Sequence, residues 1–431
     1  MNNKFGGKAI ALQNLHATGV RIPAFKAVCS SMQKAFLQQN GLLDVIQTAL
    51  SQGQDAWSAA VKTLQHRCVM PDEAKQLWLE VQVLLNKHHT GIIRSSAACE
   101  DGETLSFAGM FESLPFDVQH AESFYRALIA VWLSPFKPHV VHYLRLSEHS
   151  DLIDSLHSAM GLLIQPMMSS QSAGVGFSTN PMTAQPALVV KAVRGNGEAL
   201  NTFGICQSEY IERSGKLSLQ SLELQKVMLQ LTTHSHLAIG TVIHDALGKL
   251  VVTRRYQTHL HNVRVPKEKY QEPCLSLEQR EQLYSQFELL LQHYGKRNFE
   301  FEWLVSEGLV YIVQARPITA VQTVPQNVFG QSKDLVPIVP GDISGEIIEW
   351  RSGLTREQVK GKIIYTYQMN YDLIAVLDAV GGIITQIGDS HAHAAIICRE
   401  LGVSVYRFGQ RNALKNGQIV TIKGGQWDVA A

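Results

Sequence analysis

The residues best suited to chemistry in this sequence lie in FEFEWLVSEGLVYIVQARPIT (299–319). Apolar and polar residues alternate there, which predicts two strands joined by a Ser-Glu-Gly turn. Glu300 and Glu302 then share one face of the first strand, and Gln314 and Arg316 share one face of the second. Such a group suits Mg²⁺ and nucleotide phosphates, because hard cations take oxygen ligands. The alternative is a polar outer face with cross-strand Glu–Arg pairs.

Two earlier segments place glycine or small residues beside a cation. FGGKAIAL (5–12) has two glycines and Lys8 directly before a predicted helix. Backbone N–H groups at a helix start attract phosphate, and the lysine adds a positive charge. In the second segment, Arg94 can hold phosphate oxygens through two parallel hydrogen bonds, and a small-residue loop containing Ser106 and Gly109 can cover them. The alternatives are an ordinary loop with a surface lysine and a solvated Arg–Glu network.

A pair of histidines stands near the start of GDSHAHAAIICRELG (388–402). Apolar residues spaced by three and four, Ile397 and Cys398 among them, predict a short helix with His393 in its first turn. With an ordinary pKa of about 6.5, a histidine has a neutral ring nitrogen that can act as a nucleophile at pH 7. His391 lies about 200° away around a helix of 3.6 residues per turn. We therefore predict that His391 faces solvent.

The elements that must position these residues change character along the chain. The first 70 residues show helical periodicity, residues 90–200 show short strand-like runs, and a helical stretch precedes the hairpin. A stretch with three prolines follows the hairpin and is typical of a linker. The tail alternates five short strands with two helices. The predicted organisation is an α/β domain at 1–319, a linker at 320–341 and a small α/β domain at 342–431.

Composition limits the classes of partner. The chain has 431 residues, of which 45% are apolar, and its formal net charge is +1. This balance gives no electrostatic reason to expect nucleic acid or an anionic membrane. The six cysteines show no metal-binding or disulfide spacing, which favours a reducing compartment. No signal peptide or membrane-spanning run is evident, so we expect a cytoplasmic location.

Taken in order, five segments resemble the nucleotide-binding domain of the pyruvate phosphate dikinase and phosphoenolpyruvate synthase family. They are GGKAIALQNLHATGVRIPAF, RSSAACEDGETLSFAG, QPMMSSQSAGVGFSTNP, GNGE and EFEWLVSEGLVYIVQARPIT. The tail, with PGDISGEIIEW and HAAIICRELGVSV, resembles the same family's swivelling phosphohistidine domain. The resemblance covers nearly the whole chain. It implies an α/β (α+β) fold, with an ATP-grasp domain followed by a small swivelling β/α domain.

The resemblance also implies a reaction and a site. Mg·ATP would phosphorylate His393, with AMP and inorganic phosphate as products, and the swivelling domain would carry the phosphoryl group to an acceptor. It implies Mg²⁺-linked roles for Glu302 and Gln314, and stabilisation of the transferring phosphates by Arg316. The implied ATP-binding residues are Lys8, Arg94, Ser106, Gly109, Glu198 and Glu300.

Several positions depart from the family pattern. Glu300 stands where the family usually has aspartate, and Gly176 stands where it often has a bulkier apolar residue. Ala392 replaces a small polar residue before the histidine, and Asp389 replaces one glycine of a pair. The lost hydroxyl and the added negative charge both fall beside His393. They bear on one hydrogen bond to the imidazole or phosphate and on the charge near the phosphorylated group, and so on histidine phosphorylation.

No segment corresponds to the further barrel of family members that make phosphoenolpyruvate. We therefore expect the phosphate acceptor to be a small molecule or a separate protein. Two other functions are compatible with the sequence, namely a direct kinase that releases ADP and a non-catalytic ATP-binding partner or regulatory subunit. The sequence names neither the acceptor nor the oligomeric state, and a homo-oligomer is compatible with it.

Overall fold

The described part of the chain folds into a mixed α/β structure, in agreement with the predicted class. A computed structural model describes residues 4–44, 46, 48, 69–97, 110–146, 153, 156, 160–180, 185–203, 206–231, 260–318, 335–351, 353–369, 371–387, 393–408, 414–424 and 426–430. Within these residues the strands form sheets of four, six, seven and two strands.

The first sheet is antiparallel and has the order β1-β4-β2-β3. Its strands are β1 Lys26–Val28, β2 Thr90–Ala97, β3 Ser113–Asp117 and β4 Met160–Pro166. The helices of this region are α1 Gly7–Ala17, α2 Ser31–Gln39, α3 Asp72–Leu84, α4 Ala121–Leu133 and α5 Pro138–Leu146. Phe36 of α2 and Phe124 of α4 are fully buried, and their rings lie about 5 Å from those of Trp132 and Phe116. This aromatic cluster fixes the helices on the sheet.

The second sheet has the order β12-β11-β5-β6-β7-β8. Its strands are β5 Ser172–Phe177, β6 Val189–Arg194, β7 Ser208–Arg213, β8 Lys216–Leu222, β11 Phe299–Ser306 and β12 Leu309–Pro317. Strands β9 Val227–Leu231 and β10 Leu260–Arg264 form a separate two-stranded sheet. Helix α6 spans Glu198–Phe203 and helix α7 spans Leu277–Tyr294. Ser276 starts α7 with a capping box, and Gly295 ends it in the left-handed conformation.

One face of the second sheet is apolar and packs against α1 and α7. Phe299, Phe301 and Trp303 of β11 are buried with Phe287 of α7. A Cβ atom at Gly176 would lie 2.2 Å from the Phe301 ring, so this ring occupies the space that a bulkier residue would need. Because side chains alternate along a strand, the even-numbered residues of β11 face the other side.

The carboxyl-terminal sheet has the order β13-β17-β16-β15-β14-β18-β19, and the four strands β14 to β17 run parallel. Its strands are β13 Leu335–Val339, β14 Ile343–Glu349, β15 Ile363–Gln368, β16 Gly382–Ile387, β17 Val405–Phe408, β18 Ile419–Lys423 and β19 Gln426–Ala430. Helix α8 spans Arg356–Val359, a 3₁₀ helix spans Tyr371–Val376, and α9 spans His393–Glu400. Buried isoleucines cover both faces of the sheet, with Ile364 on one and Ile363 on the other.

Strand β13 lies inside the stretch predicted as linker. Leu335–Val339 pairs antiparallel with β17 at the edge of the carboxyl-terminal sheet, so this part of the predicted linker belongs to the sheet. The register shifts between Pro337 and Val339, which is where an edge strand tolerates a proline. Residues 319–334 lie outside the described residues.

None of the helices in the described ranges combines the length and the apolar character needed to cross a bilayer.

Candidate functional site

The β11–β12 hairpin places the four predicted polar residues on one face in two pairs. Glu302 lies directly opposite Gln314, and Glu300 lies directly opposite Arg316. The turn between the strands has positive φ at both Glu307 (51°) and Gly308 (77°), the geometry of a tight two-residue hairpin. This turn fixes the register, and the register brings the predicted residues together.

Arg94 reaches the hairpin from the other sheet. One of its terminal nitrogens, Nη2, donates a hydrogen bond to Gln314 Oε1 at 2.7 Å and lies 3.8 Å from Glu302 Oε2. The second, Nη1, donates to the backbone carbonyl of Val313 at 3.2 Å. The side chain is 16% exposed. Arg94 therefore bridges the two sheets and leaves a small exposed part of its guanidinium beside the side-chain oxygens of Glu302 and Gln314.

Lys8 stands beside Arg94 because the chain approaches β2 very closely at Gly6. The Lys8 Nζ donates a hydrogen bond to Ser95 Oγ at 3.2 Å, and the Ala9 N–H donates to Ser96 Oγ at 3.0 Å. A Cβ atom at Gly6, where φ is +77°, would lie 1.6 Å from the carbonyl oxygen of Ser96. Only glycine fits there. The sequence predicts Lys8 directly before a helix, whereas the structure places it inside the first turn of α1. Lys8, Arg94 and Gln314 line one small cavity.

Glu300 and Arg316 form an ion pair one row away from Gln314. The Arg316 Nε donates to Glu300 Oε1 at 2.6 Å, and the Arg316 Nη2 lies at the same distance from this oxygen. Both side chains are about one-quarter exposed, at 27% and 23%. This contact is the cross-strand Glu–Arg pair that the sequence offered as an alternative, whereas Glu302 and Gln314 instead share a partner from another sheet.

The remaining predicted ATP-binding residues are Glu198, Ser106 and Gly109. Glu198 is exposed at the start of α6, and its backbone N–H donates a hydrogen bond to the Asn196 side-chain oxygen at 2.9 Å. Ser106 and Gly109 lie outside the described residues.

His393 is the first residue of α9, which places it in the first turn as predicted. Ile397 and Cys398 are buried, and Gly402 follows the helix with φ of 70°. The backbone N–H of Val403 donates to the carbonyl of Cys398 and closes the helix end. Asp389, His391 and Ala392 lie outside the described residues, so the predictions made for them stay predictions.

The structure adds Gln165 of β4 to the site, a residue that the sequence reasoning missed. It is buried, its Oε1 lies 3.5 Å from Arg94 Nη1, and its Nε2 has no hydrogen-bond partner among the described residues. A buried amide that lacks a partner is unusual and is compatible with a bound polar ligand. The available signal was one polar residue inside the apolar run GLLIQPMM.

Lys191 of β6 is a second residue that the sequence reasoning did not single out. It pairs with Val175 of β5, which pairs in turn with Glu302 of β11. Residues that pair across a sheet share a face, so Lys191 and Glu302 lie on the same side. Only the strand order, which the sequence did not give, places the two residues in one row.

The oxygen ligands of Glu302 and Gln314 fit a hard divalent cation. A carboxylate and an amide carbonyl are both of the type that Mg²⁺ accepts, and Mg²⁺ usually takes only one or two protein ligands besides phosphate oxygens and water. Within the described ranges no group of three or more His, Cys, Asp or Glu residues is arranged to hold a metal by itself. The donor set therefore fits a cation bound together with a phosphate ligand.

Comparison with known proteins gives two domain matches. Residues 2–332 match the family described as pyruvate phosphate dikinase, AMP/ATP-binding domain, and residues 358–426 match PEP-utilising enzyme, mobile domain. The chain is 26% identical to the probable phosphoenolpyruvate synthase of Archaeoglobus fulgidus over 446 residues, covering 97% of this chain and 55% of that protein. It is 25% identical to the probable phosphoenolpyruvate synthase of Methanothermobacter thermautotrophicus over 443 residues, covering 98% and 60%.

The chain spans about half the length of these curated relatives. Among solved structures, D-alanine-D-alanine ligase from Helicobacter pylori has a TM-score of 0.28 at 11% identity, covering 73% of this chain and 54% of that one. A score this low carries no argument about the fold.

Proposed function

The chain belongs to the family described as "pyruvate phosphate dikinase, AMP/ATP-binding domain", and on this basis we propose that it is a dikinase-type phosphotransferase that uses ATP. The α–β bond of ATP breaks as His393 takes the β- and γ-phosphates and AMP leaves, and water then cleaves the β–γ bond and releases inorganic phosphate. The β-phosphoryl group stays on His393, and the phosphohistidine passes it to an acceptor. The observation that carries the proposal is the bridge from Arg94 to Gln314 and Glu302, which joins the two sheets at a cluster suited to phosphate and a cation.

The chain's own residues supply positioning and charge in this reaction. Lys8 and Arg94 neutralise phosphate oxygens from the side of the first sheet, and Arg316 does so from the hairpin. Gln165 offers a buried amide N–H to a polar group of the nucleotide. Phosphoryl transfer needs this kind of charge neutralisation and alignment more than covalent help from the protein.

Magnesium is the cation that this donor set suits. Glu302 and Gln314 would hold it, with phosphate oxygens and water as the other ligands. When bound, Mg²⁺ neutralises phosphate charge and fixes the orientation of the phosphate chain.

The start of α9 suits a phosphate acceptor. A helix amino terminus carries a partial positive charge, so it disfavours a protonated imidazole and stabilises the doubly charged phosphohistidine. The buried face of α9, with Ile397 and Cys398, holds this helix start against the carboxyl-terminal sheet. The final acceptor is a small molecule or a separate protein.

The test is labelling with ATP that carries radioactive phosphate at the β position. The wild-type protein should acquire label that is acid-labile and alkali-stable, and should release AMP. His393→Ala should abolish the label, whereas His391→Ala, the matched control, should retain it.

The other outcomes separate the alternatives. Equal labelling of His393→Ala and wild type would refute the phosphohistidine. ADP as the sole nucleotide product would favour a direct kinase, and tight ATP binding without any product would favour a regulatory subunit.

A further inference from the structure

The carboxyl-terminal unit, residues 335–430, packs against helix α5 of the nucleotide-binding part. Val140, Tyr143 and Leu144 of α5 are buried in the same hydrophobic cluster as Leu373 and Ile374 of the 3₁₀ helix. The cluster continues into the interior of the carboxyl-terminal unit, where it contains Ile397 and Cys398 of α9. The helix that begins with His393 therefore shares its apolar packing with α5.

A hydrogen bond fixes α9 at this contact. The Tyr143 hydroxyl donates to the Glu400 carboxylate at 2.5 Å, and Tyr143 is fully buried whereas Glu400 is exposed. Glu400 is the last residue of α9. A hydrogen bond to a charged acceptor is stronger than one between neutral groups, so this contact ties the helix to α5 with a defined geometry.

A second polar contact lies beside it. Asp378 forms an ion pair with Arg356 within the carboxyl-terminal unit, and its carboxylate lies 3.8 Å from the Nε2 of His142 on α5. This carboxylate thus faces the nucleotide-binding part next to the apolar contact.

Among the described residues, the hairpin β11–β12 belongs to a hydrophobic cluster separate from the one at this contact. In the described ranges, the cluster that holds the buried side of β11 and β12 contains no residue after Ala315. The Tyr143–Glu400 hydrogen bond and the His142–Asp378 contact between the two parts both lie on α5.

We propose that α5 is the docking surface for a parked position of the phosphohistidine unit, latched by Tyr143 and Glu400. The unit leaves this surface to bring His393 to ATP at the hairpin, and it returns when no phosphate is being transferred. The parking role rests on the proposed function, whereas the docking contact does not.

The experiment compares two exposed glutamates of the carboxyl-terminal unit. Glu400→Ala removes the acceptor of the latch, and Glu349→Ala, the matched control, removes a carboxylate that pairs with Arg351 within the unit. Hydrogen exchange of the α5 amides, measured without nucleotide, reports docking. Because neither Glu400 nor Glu349 lies in α5, a change in the hydrogen-exchange rate of the α5 amides must result from a change in the contact between α5 and the carboxyl-terminal unit.

Glu400→Ala should speed α5 exchange about three- to tenfold, the population change expected for one lost hydrogen bond. It should also raise the initial rate of His393 labelling by ATP, because the unit starts more often undocked. Tyr143→Phe should give the same two changes, and Glu349→Ala should give neither.

Unchanged α5 exchange in both latch variants would overturn the docking contact. Faster exchange with slower labelling would overturn the parking role, since the contact would then assist phosphorylation. Faster exchange with no label in any protein, wild type included, would refute the proposed function and the parking role together, while the docking contact would stand.

Discussion

The hairpin β11–β12 and the helix α9 hold their functional residues in different ways. Strand β11 pairs with β12 on one side and with β5 on the other, so backbone hydrogen bonds along both edges of the strand fix the positions of Glu300 and Glu302. Arg94 adds a side-chain link from another sheet. Helix α9 has only eight residues, and it is held by its buried face and by the contact of Glu400 with Tyr143.

This difference matches two separate tasks in the proposed reaction. Residues that bind phosphates and a cation act best when they are already in position, because no energy is then spent on arranging them during the reaction. A residue that carries a phosphoryl group between two sites must lie on a domain that can detach from its docking surface at a small cost in free energy. A partly exposed hydrogen bond and an apolar contact satisfy that need better than a continuous sheet.

Arg94→Met should have the largest effect on the hairpin side, because it removes the bridge between the sheets and a charge beside the phosphates. We expect kcat/KM for ATP-dependent labelling to fall about 100-fold or more. Initial labelling rates across a range of ATP concentrations measure this.

The control is Arg213→Met, at an exposed arginine that pairs with Gln220 on the neighbouring strand. It should label like the wild type. If Arg94→Met also labelled normally, the bridge would have no part in binding or transfer, and the comparison of a rigid donor side with a mobile carrier would lose its basis.

Gly6→Ala should cost about 2–4 kcal/mol of stability, because the new methyl group meets the Ser96 carbonyl and the backbone must keep a positive φ. Gly19→Ala separates the two causes, since Gly19 also has positive φ (+82°) but has nothing within 4 Å of a Cβ atom. We expect Gly19→Ala to cost only about 1 kcal/mol. Denaturant midpoints measure both, and equal losses would show that the close approach at Gly6 has no cost of its own.

The sequence was sufficient to predict the hairpin but not its partners. Alternation in FEFEW determines which side of β11 is buried, and a short turn limits the register, so the shared face of Glu300 and Glu302 followed from local rules. The contact of Arg94 with Gln314 joins residues 220 positions apart. Local patterns contain no information about such a contact, and only the resemblance to a family brought these two residues together.

Two misses have physical reasons. The three prolines and weak helical periodicity around LVPIV predict a linker, yet β13 is an edge strand whose register shifts beside Pro337 and so tolerates it. Gln165 sits in a strand that is buried along its whole length, and an apolar run gives no sign that its single amide lies beside Arg94. Both features depend on neighbours that are distant in sequence.

Glu302→Gln and Glu300→Gln should divide the hairpin into two functions. Loss of the Glu302 charge should raise the Mg²⁺ concentration needed for half-maximal labelling about tenfold, because a neutral amide is a weaker ligand for a hard cation. Glu300→Gln should leave the Mg²⁺ requirement unchanged and lower the rate, because Arg316 loses its charged partner. Titrations of labelling rate against Mg²⁺ measure both, and the same Mg²⁺ shift in each variant would contradict the division.

The smallest expected effect concerns the carrier side and pH. Burial lowers the pKa of His142, and Arg356 and Arg145 lower it further, while Asp378 acts in the opposite direction. His142 on an undocked α5 would regain an ordinary pKa of about 6.5 and bind a proton first as the pH falls. The neutral His142 therefore stabilises the docked state above that pH, and this stabilisation is lost on acidification. The hydrogen-exchange rate of the α5 amides, corrected for its intrinsic pH dependence, should rise a few-fold as the pH falls from about 7.5 to 5.5. His142→Asn should remove the pH dependence of the α5 exchange rate. If exchange in the wild-type protein instead slowed in acid, the attraction between protonated His142 and Asp378 would outweigh the cost of burying the charged ring.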